Sequence, residues 1–312
     1  EKNLMRYITL GQDDKELSEI VLGMMRIEDK SVKEVEELVE TALSVGINAF
    51  DLADIYGRGR CEELLGLVLK NRPDLREEMW IQSKCGIRIE EFTYFDFSKD
   101  YIIKSVDGIL QRLKIDHLDS LLLHRPDALM ESDQVAEAFD LLYKQGKVRN
   151  FGVSNQNPMM MELLKKDVKQ PLAVNQLQLS AAFTPGFESG FHVNMEDSQA
   201  AMRDGSIFEY CKLHDVVIQA WSVLQFGYFK GNFVGNEKFQ ALNQVLDRLA
   251  IKYGVTSSTI AISWILRYPA KMQAVVGTTN PKHLREVSQA ANFSLTRKEW
   301  YEIYLAAGNN LP

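Results

Sequence analysis

The chain has 312 residues, 46% hydrophobic and 25% charged, with a formal net charge of −7. That is enough apolar mass for a full globular core, and the acidic balance excludes a general nucleic-acid binder, which needs a basic face. No apolar run approaches the roughly 18 residues of a membrane span, and the three cysteines lack paired zinc or Cys-x-x-Cys spacing, so a reduced, cytoplasmic setting without membrane contact is expected.

In chain order, residues 7–23 predict a hairpin ahead of the main fold, placed to plug its bottom. Short apolar runs then alternate with helix-period segments: 20–23, 49–51, 79–83, 118–123, 148–153, 173–179, 216–220 and 273–276. Several are apolar on both faces, as buried parallel strands are, and eight such runs with helices between them predict a closed (β/α)8 TIM barrel. Val32, Val35, Leu38, Val39, Ala42 and Leu43 form an apolar helical stripe, with Ser31 and Glu34 spaced as a capping box. Ile102, Ile103, Val106, Ile109, Leu110 and Leu113 form a second stripe; Val135, Ala138, Phe139 and Leu142 form a third, which Gly146 ends. Asn157 and Pro158 open a further helix. Two long interruptions, 183–206 and 222–236, follow the sixth and seventh runs. Both leave the C-terminal face, where barrel enzymes carry their chemistry, and 183–206 with 226–233 are expected to shape a pocket with Met25 and Phe92 as walls. The tail 296–312 predicts an extra C-terminal helix ending at Gly308, and no linker divides residues 1–312, so a single domain is expected.

A dinucleotide fold built on Gly-x-Gly-x-x-Gly is excluded, because the first run leads into Gly23, Met24, Met25 and Arg26. Chemistry-bearing residues gather instead where apolar runs end. A loop tyrosine such as Tyr56 is by itself a packing residue, and becomes an acid only if its pKa is lowered from about 10. Lys84, ending the third run, is placed to do this, and Asp51, ending the second, to hold that lysine charged. Taken alone, Asp51 and Lys84 equally fit a structural ion pair. His124 follows Leu121, Leu122 and Leu123; it is either a satisfied core histidine or a neutral donor to a carbonyl oxygen. Asp54 reads as a polar loop residue.

Ser154, Asn155 and Gln176, at the fifth and sixth run ends, both donate and accept, which matches the edge of a carboxamide. Trp221 ends the seventh run and could stack on a flat cationic ring, or simply fill a core edge. After the eighth run, Gly277, Thr278 and Thr279 lead to Asn280 and Pro281, a natural helix cap whose free amides can receive a phosphate, with Lys282 and His283 adding positive charge.

In this order these motifs closely resemble the aldo-keto reductase family, from Ile20 to about Asn292, and most of all its bacterial members with short substrate loops. The resemblance implies a catalytic tetrad of Asp51, Tyr56, Lys84 and His124. It implies cofactor contacts from Ser154, Asn155, Gln176, Trp221, Ser222, Gly277, Thr278, Thr279, His283 and Glu286. Hydride would pass from NADP(H), or less typically NAD(H), to a small aldehyde or ketone, with Tyr56 protonating the alkoxide and no metal. His283 stands where many members carry an arginine for a 2′-phosphate, and Val287 replaces a polar residue used on adenine, so the choice between NADPH and NADH stays open. Relatives of this fold also serve as cofactor-sensing regulatory modules, which is the competing class. A Schiff-base lyase using Lys84 is disfavoured, because Asp51 should keep that amine protonated. A monomer or small homo-oligomer is expected.

Overall fold

A chain whose strands are apolar on both faces must cover both, and this one does so by closing its sheet. The computed structural model describes residues 5–11, 13–195, 198 and 205–309. Its strands are β1 (Tyr7–Thr9), β2 (Glu16–Ser18), β3 (Ile20–Gly23), β4 (Ala49–Asp51), β5 (Trp80–Cys85) and β6 (Ile87–Ile89). They continue as β7 (Thr93–Phe95), β8 (Leu118–Leu123), β9 (Val148–Ser154), β10 (Leu172–Gln178), β11 (Val217–Trp221) and β12 (Met272–Val276). Eight of them form a closed barrel in the order β10-β11-β12-β3-β4-β5-β8-β9, with β9 parallel to β10 at the seam. The eight predicted runs are these strands, with ends shifted by a residue or so.

The N-terminal hairpin is β1 with β2, and it plugs the bottom as expected. Leu10 and Leu17 are fully buried in a small cluster with Val21, Ala49, Trp80, Val174, Val217 and Val275, which forms an apolar floor. Above that floor the interior is polar. Gln82 Nε2 donates to Gln219 Oε1 at 2.6 Å, Gln219 Nε2 to Gln273 Oε1 at 2.7 Å, and Gln273 Nε2 to the Ser18 carbonyl of the plug at 2.9 Å. Trp80 Nε1 donates to Ser120 Oγ and Ser120 Oγ to Gln82 Oε1, each at 2.9 Å. Burying so many amides is tolerable because each finds a partner.

The helix signals hold. Ser31 and Glu34 make a reciprocal capping box on the helix Val32–Ser44. Gly146 takes a left-handed φ of 70° just past Ser132–Lys144, and Asn157 caps Pro158–Lys165. The C-terminal helix is Arg297–Ala306, with Thr296 and Glu299 as a second capping box. It docks through Trp300, stacked on Trp264 at 4.9 Å, and the two exchange Nε1-to-carbonyl bonds of 3.0 and 3.1 Å.

Two features differ from expectation. Directly after β5 the chain makes an antiparallel hairpin, β6 with β7, which no apolar run announced. Phe92, expected as a pocket wall, is exposed between its strands. The segment 183–206 is not wholly irregular either: it begins with a helix, Pro185–Phe191, whose Phe187 packs against Phe208, Trp264, Tyr268 and Trp300. Its polar composition hid one aromatic anchor. Residues 196, 197 and 199–204 of this segment lie outside the described residues.

Candidate active site

Asp51 is the last residue of β4, and Lys84 stands near the end of the neighbouring β5. The loop between β4 and Tyr56 is laid along β5: Leu52 N donates to Gln82 O at 2.9 Å and Asp54 N to Lys84 O at 3.1 Å. A tight turn over Tyr56–Gly59 then carries Gly57, Arg58 and Gly59 through left-handed φ values of 55°, 52° and 93°. Two of the three are glycines, which take such φ values without steric cost. This turn brings the phenol back over the barrel.

Lys84 is fully buried and all three ammonium protons are used. Its Nζ donates to Asp51 Oδ2 at 2.8 Å, to the Leu52 carbonyl at 2.8 Å and to Tyr56 Oη at 3.0 Å. The phenol therefore accepts from the ammonium and keeps its own proton for another acceptor. His124 follows β8, its amide donating to the Cys85 carbonyl at 2.9 Å, and its ring meets the Tyr56 ring edge-on at 5.9 Å. Asp51, Tyr56, Lys84 and His124 thus form one cluster.

Burial works against the charge on Lys84, yet Asp51 and then Tyr56 raise its pKa above the ordinary value, so it stays an ammonium. Tyr56 departs from expectation. Burial raises its pKa and outweighs the lowering by Lys84, so the phenol holds its proton more firmly than a free one. Burial, with Lys84 and Arg125 nearby, pushes His124 well below the usual imidazole range, which leaves it neutral.

Ser154 ends β9 and Asn155 follows it with a left-handed φ of 54°. Asn155 Nδ2 donates to Ser154 Oγ at 2.9 Å, Ser154 Oγ donates to the Gln176 carbonyl at 2.9 Å, and Trp221 Nε1 donates to Asn155 Oδ1 at 3.3 Å. Gln176 Nε2 donates at 3.1 Å both to Asp51 Oδ1 and to Gln219 Oε1, while its Oε1 accepts from no described residue. The Gln176 Oε1 acceptor, without a partner among the described residues, lies in this group with the second N–H of Asn155, a donor and acceptor set that suits a carboxamide edge. Ser222 continues from Trp221 with a φ of 52°.

Among the described residues no hydrogen bond joins the loop after β12 to this cluster; its own bonds are local, Asn280 N to Thr278 Oγ1 at 3.2 Å and Lys282 N to Asn280 Oδ1 at 2.9 Å. Gly277 is exposed with open space where a side chain would project, Thr278 and Thr279 are half-buried, and Asn280 caps the helix Pro281–Ser288. His283 on that helix is exposed, and the Lys282 ammonium lies 3.9 Å from Glu286. Val287 is buried in the core, which accounts for its apolar character.

Some neighbours escaped the sequence reading. Asp54, taken as a polar loop residue, is half-buried with its Oδ1 shielded from solvent, and its carboxyl is pushed up to about 7 by burial and by the Glu62 carboxylate. Glu62 is itself fully buried, accepting from Ser83 Oγ and Arg112 Nε at 2.7 Å each. Gln82, Gln219 and Gln273 were also missed. Each sits inside a strand, and the only available signal was a polar residue at an inward position.

A parallel eightfold barrel, with an ion-paired lysine under a tyrosine at the C-terminal ends of its strands, defines a class, and comparison with known proteins names it. The chain belongs to the Aldo/keto reductase family, whose model matches residues 19–306. It is 34% identical to the oxidoreductase YdhF of Escherichia coli, over 99% of this chain and 100% of that one. It is 33% identical to a 6-dehydroglucose reductase of Agrobacterium fabrum, over 97% and 98% of the two chains. An aldo-keto reductase from Klebsiella pneumoniae, solved in complex with NADPH, shares the fold with a TM-score of 0.75 at 20% identity, covering 96% of this chain and 94% of that one.

Proposed function

We propose that the protein reduces a small aldehyde or ketone with NADPH, Tyr56 acting as the general acid. The observation that carries this is the buried Lys84 ammonium, bonded at once to Asp51 at 2.8 Å and to Tyr56 at 3.0 Å. An ammonium held there stabilises the phenolate that forms as Tyr56 gives up its proton, and general acid catalysis of this kind is worth about 10²–10⁴-fold. Bound nicotinamide would supply the hydride. Ser154, Asn155 and Gln176 would hold its carboxamide, and Trp221 with Ser222 would flank the ring. Gly277, Thr278, Thr279, His283 and Glu286 would meet the adenosine end. His124, neutral, donates to the carbonyl oxygen and so fixes its direction toward Tyr56. The family, the NADPH complex of the Klebsiella enzyme and the reductase among the relatives all support this reading.

Fluorescence titration with NADPH and NADH, in wild type and Trp221→Ala, tests the cofactor half. Steady-state NADPH oxidation with aldehydes, in wild type and Tyr56→Phe, tests the chemistry. Saturable quenching weakened in Trp221→Ala, with turnover lost in Tyr56→Phe, is expected. Binding without turnover in wild type would instead indicate a cofactor-sensing module.

A further inference from the structure

Arg125 is a cation at the rim of the site with no anion partner among the described residues. It follows His124 directly, and it makes no hydrogen bond or ion pair with any described residue. Its guanidinium carbon lies 5.5 Å from the Trp221 ring centre and 5.7 Å from that of Tyr228, and those two rings meet nearly at right angles. The nearest carboxylate in sequence is spoken for: Asp127 accepts from the amides of Phe97 at 2.9 Å and Leu129 at 2.8 Å. Arg125 is also close enough to His124 for its charge to help keep that imidazole neutral.

A half-buried guanidinium is normally forked onto a carboxylate or phosphate, because its planar donors match two oxygens at once. Here two aromatic faces fix its position and leave the donors unclaimed by any described residue. In a chain of net charge −7, an arginine with no anion partner among the described residues places a local positive charge at the mouth of the site, which draws anions toward it. We infer that Arg125 binds an oxyanion on the substrate, so that the preferred carbonyl compound carries a carboxylate or phosphate near its aldehyde or ketone. This rests on the reductase reading and narrows its substrate.

The full-length protein with NADPH is assayed on two matched pairs, succinic semialdehyde against butanal and glyceraldehyde 3-phosphate against glyceraldehyde. Wild type is expected to favour the charged member of at least one pair, and the pair that responds tells carboxylate from phosphate. In Arg125→Met the loss for that charged member should exceed the loss for its neutral partner by about 10- to 100-fold, mainly in KM, as for a lost charge-assisted bond. Arg125→Lys should restore part of it. Equal losses for both members, or no charge preference in wild type, would overturn the proposal. So would a loss confined to NADPH affinity, which would give the arginine to the cofactor. Should wild type turn over no aldehyde, the reductase reading fails on its own. Tryptophan quenching by succinate then decides Arg125: saturable binding that disappears in Arg125→Met sustains the anion site, and no difference removes it.

Discussion

Gln176 donates to Asp51 across 3.1 Å, and so does Gln82 across 2.8 Å, both to the same oxygen, Oδ1. The other oxygen, Oδ2, holds Lys84. One carboxylate thus joins the proposed carboxamide cradle to the support of the proposed acid.

Gln176→Leu should therefore act on both functions. Loss of its Oε1 should weaken NADPH binding by about tenfold, the worth of roughly 1.4 kcal/mol. Loss of its Nε2 should also lower kcat at saturating cofactor. A Kd change with kcat untouched would sever the link through Asp51.

The pH profile of kcat/KM for reduction should be flat from about pH 6 to 9. Tyr56 is raised above 10 and keeps its proton throughout, while His124 is depressed well below 6.5 and stays neutral. Activity should fall only once the phenol ionises, above about pH 10. A limb centred near 6.5 would mean that His124 titrates normally.

Asp54 should leave a mark on stability rather than on that profile. Its folded pKa of about 7 lies above its unfolded value near 3.8, so the folded state binds the extra proton between them. Stability is then greatest at the acid end of this window and declines as pH rises through 7. Asp54→Asn should flatten that decline, whose ceiling is about 4 kcal/mol at about 1.4 kcal/mol per pKa unit. Urea denaturation of both proteins at pH 5 and pH 8 measures it, and equal slopes would refute it.

His283→Arg should tighten NADPH about three- to tenfold while leaving NADH as it was, because a planar guanidinium grips a 2′-phosphate bidentately and an imidazole has no such fork of donors. Isothermal titration with each cofactor reads this directly. Tightening of both cofactors alike would place the phosphate elsewhere.

Trp300→Phe keeps the ring stack on Trp264 but leaves the Trp264 carbonyl unpaired. That carbonyl lies near the end of the helix Ser257–Leu266, where intrahelical partners run out. The expected cost is about 1–3 kcal/mol, against about 3–5 kcal/mol for Trp300→Ala. A Trp300→Phe midpoint in denaturant equal to that of wild type would show that the hydrogen bond contributes nothing.

The barrel was legible because burial on both faces writes itself as continuous apolar runs, and Asp51, Lys84 and His124 stand where those runs stop. Tyr56 was legible only through its partners. What stayed hidden depends on three-dimensional register. Gln82, Gln219 and Gln273 read as polar interruptions until parallel pairing aligns Gln219 with Gln273 across neighbouring strands. Asp54 and Glu62 are eight positions apart and come within electrostatic reach of each other after the turn at Tyr56–Gly59 folds back. The direction of the Tyr56 shift was misjudged because sequence shows the lysine but not the depth of burial.

The glutamine column between Ser18 and Asp51 has a consequence for proton traffic. Amides hold their hydrogens at neutral pH, and below them the floor is sealed by Leu10 and Leu17. On the proposed mechanism, the proton that Tyr56 gives away cannot be replenished from beneath. On that mechanism it arrives from the side of the strand ends, the side on which the alcohol also leaves, so recharging the acid and releasing product use the same face of the barrel.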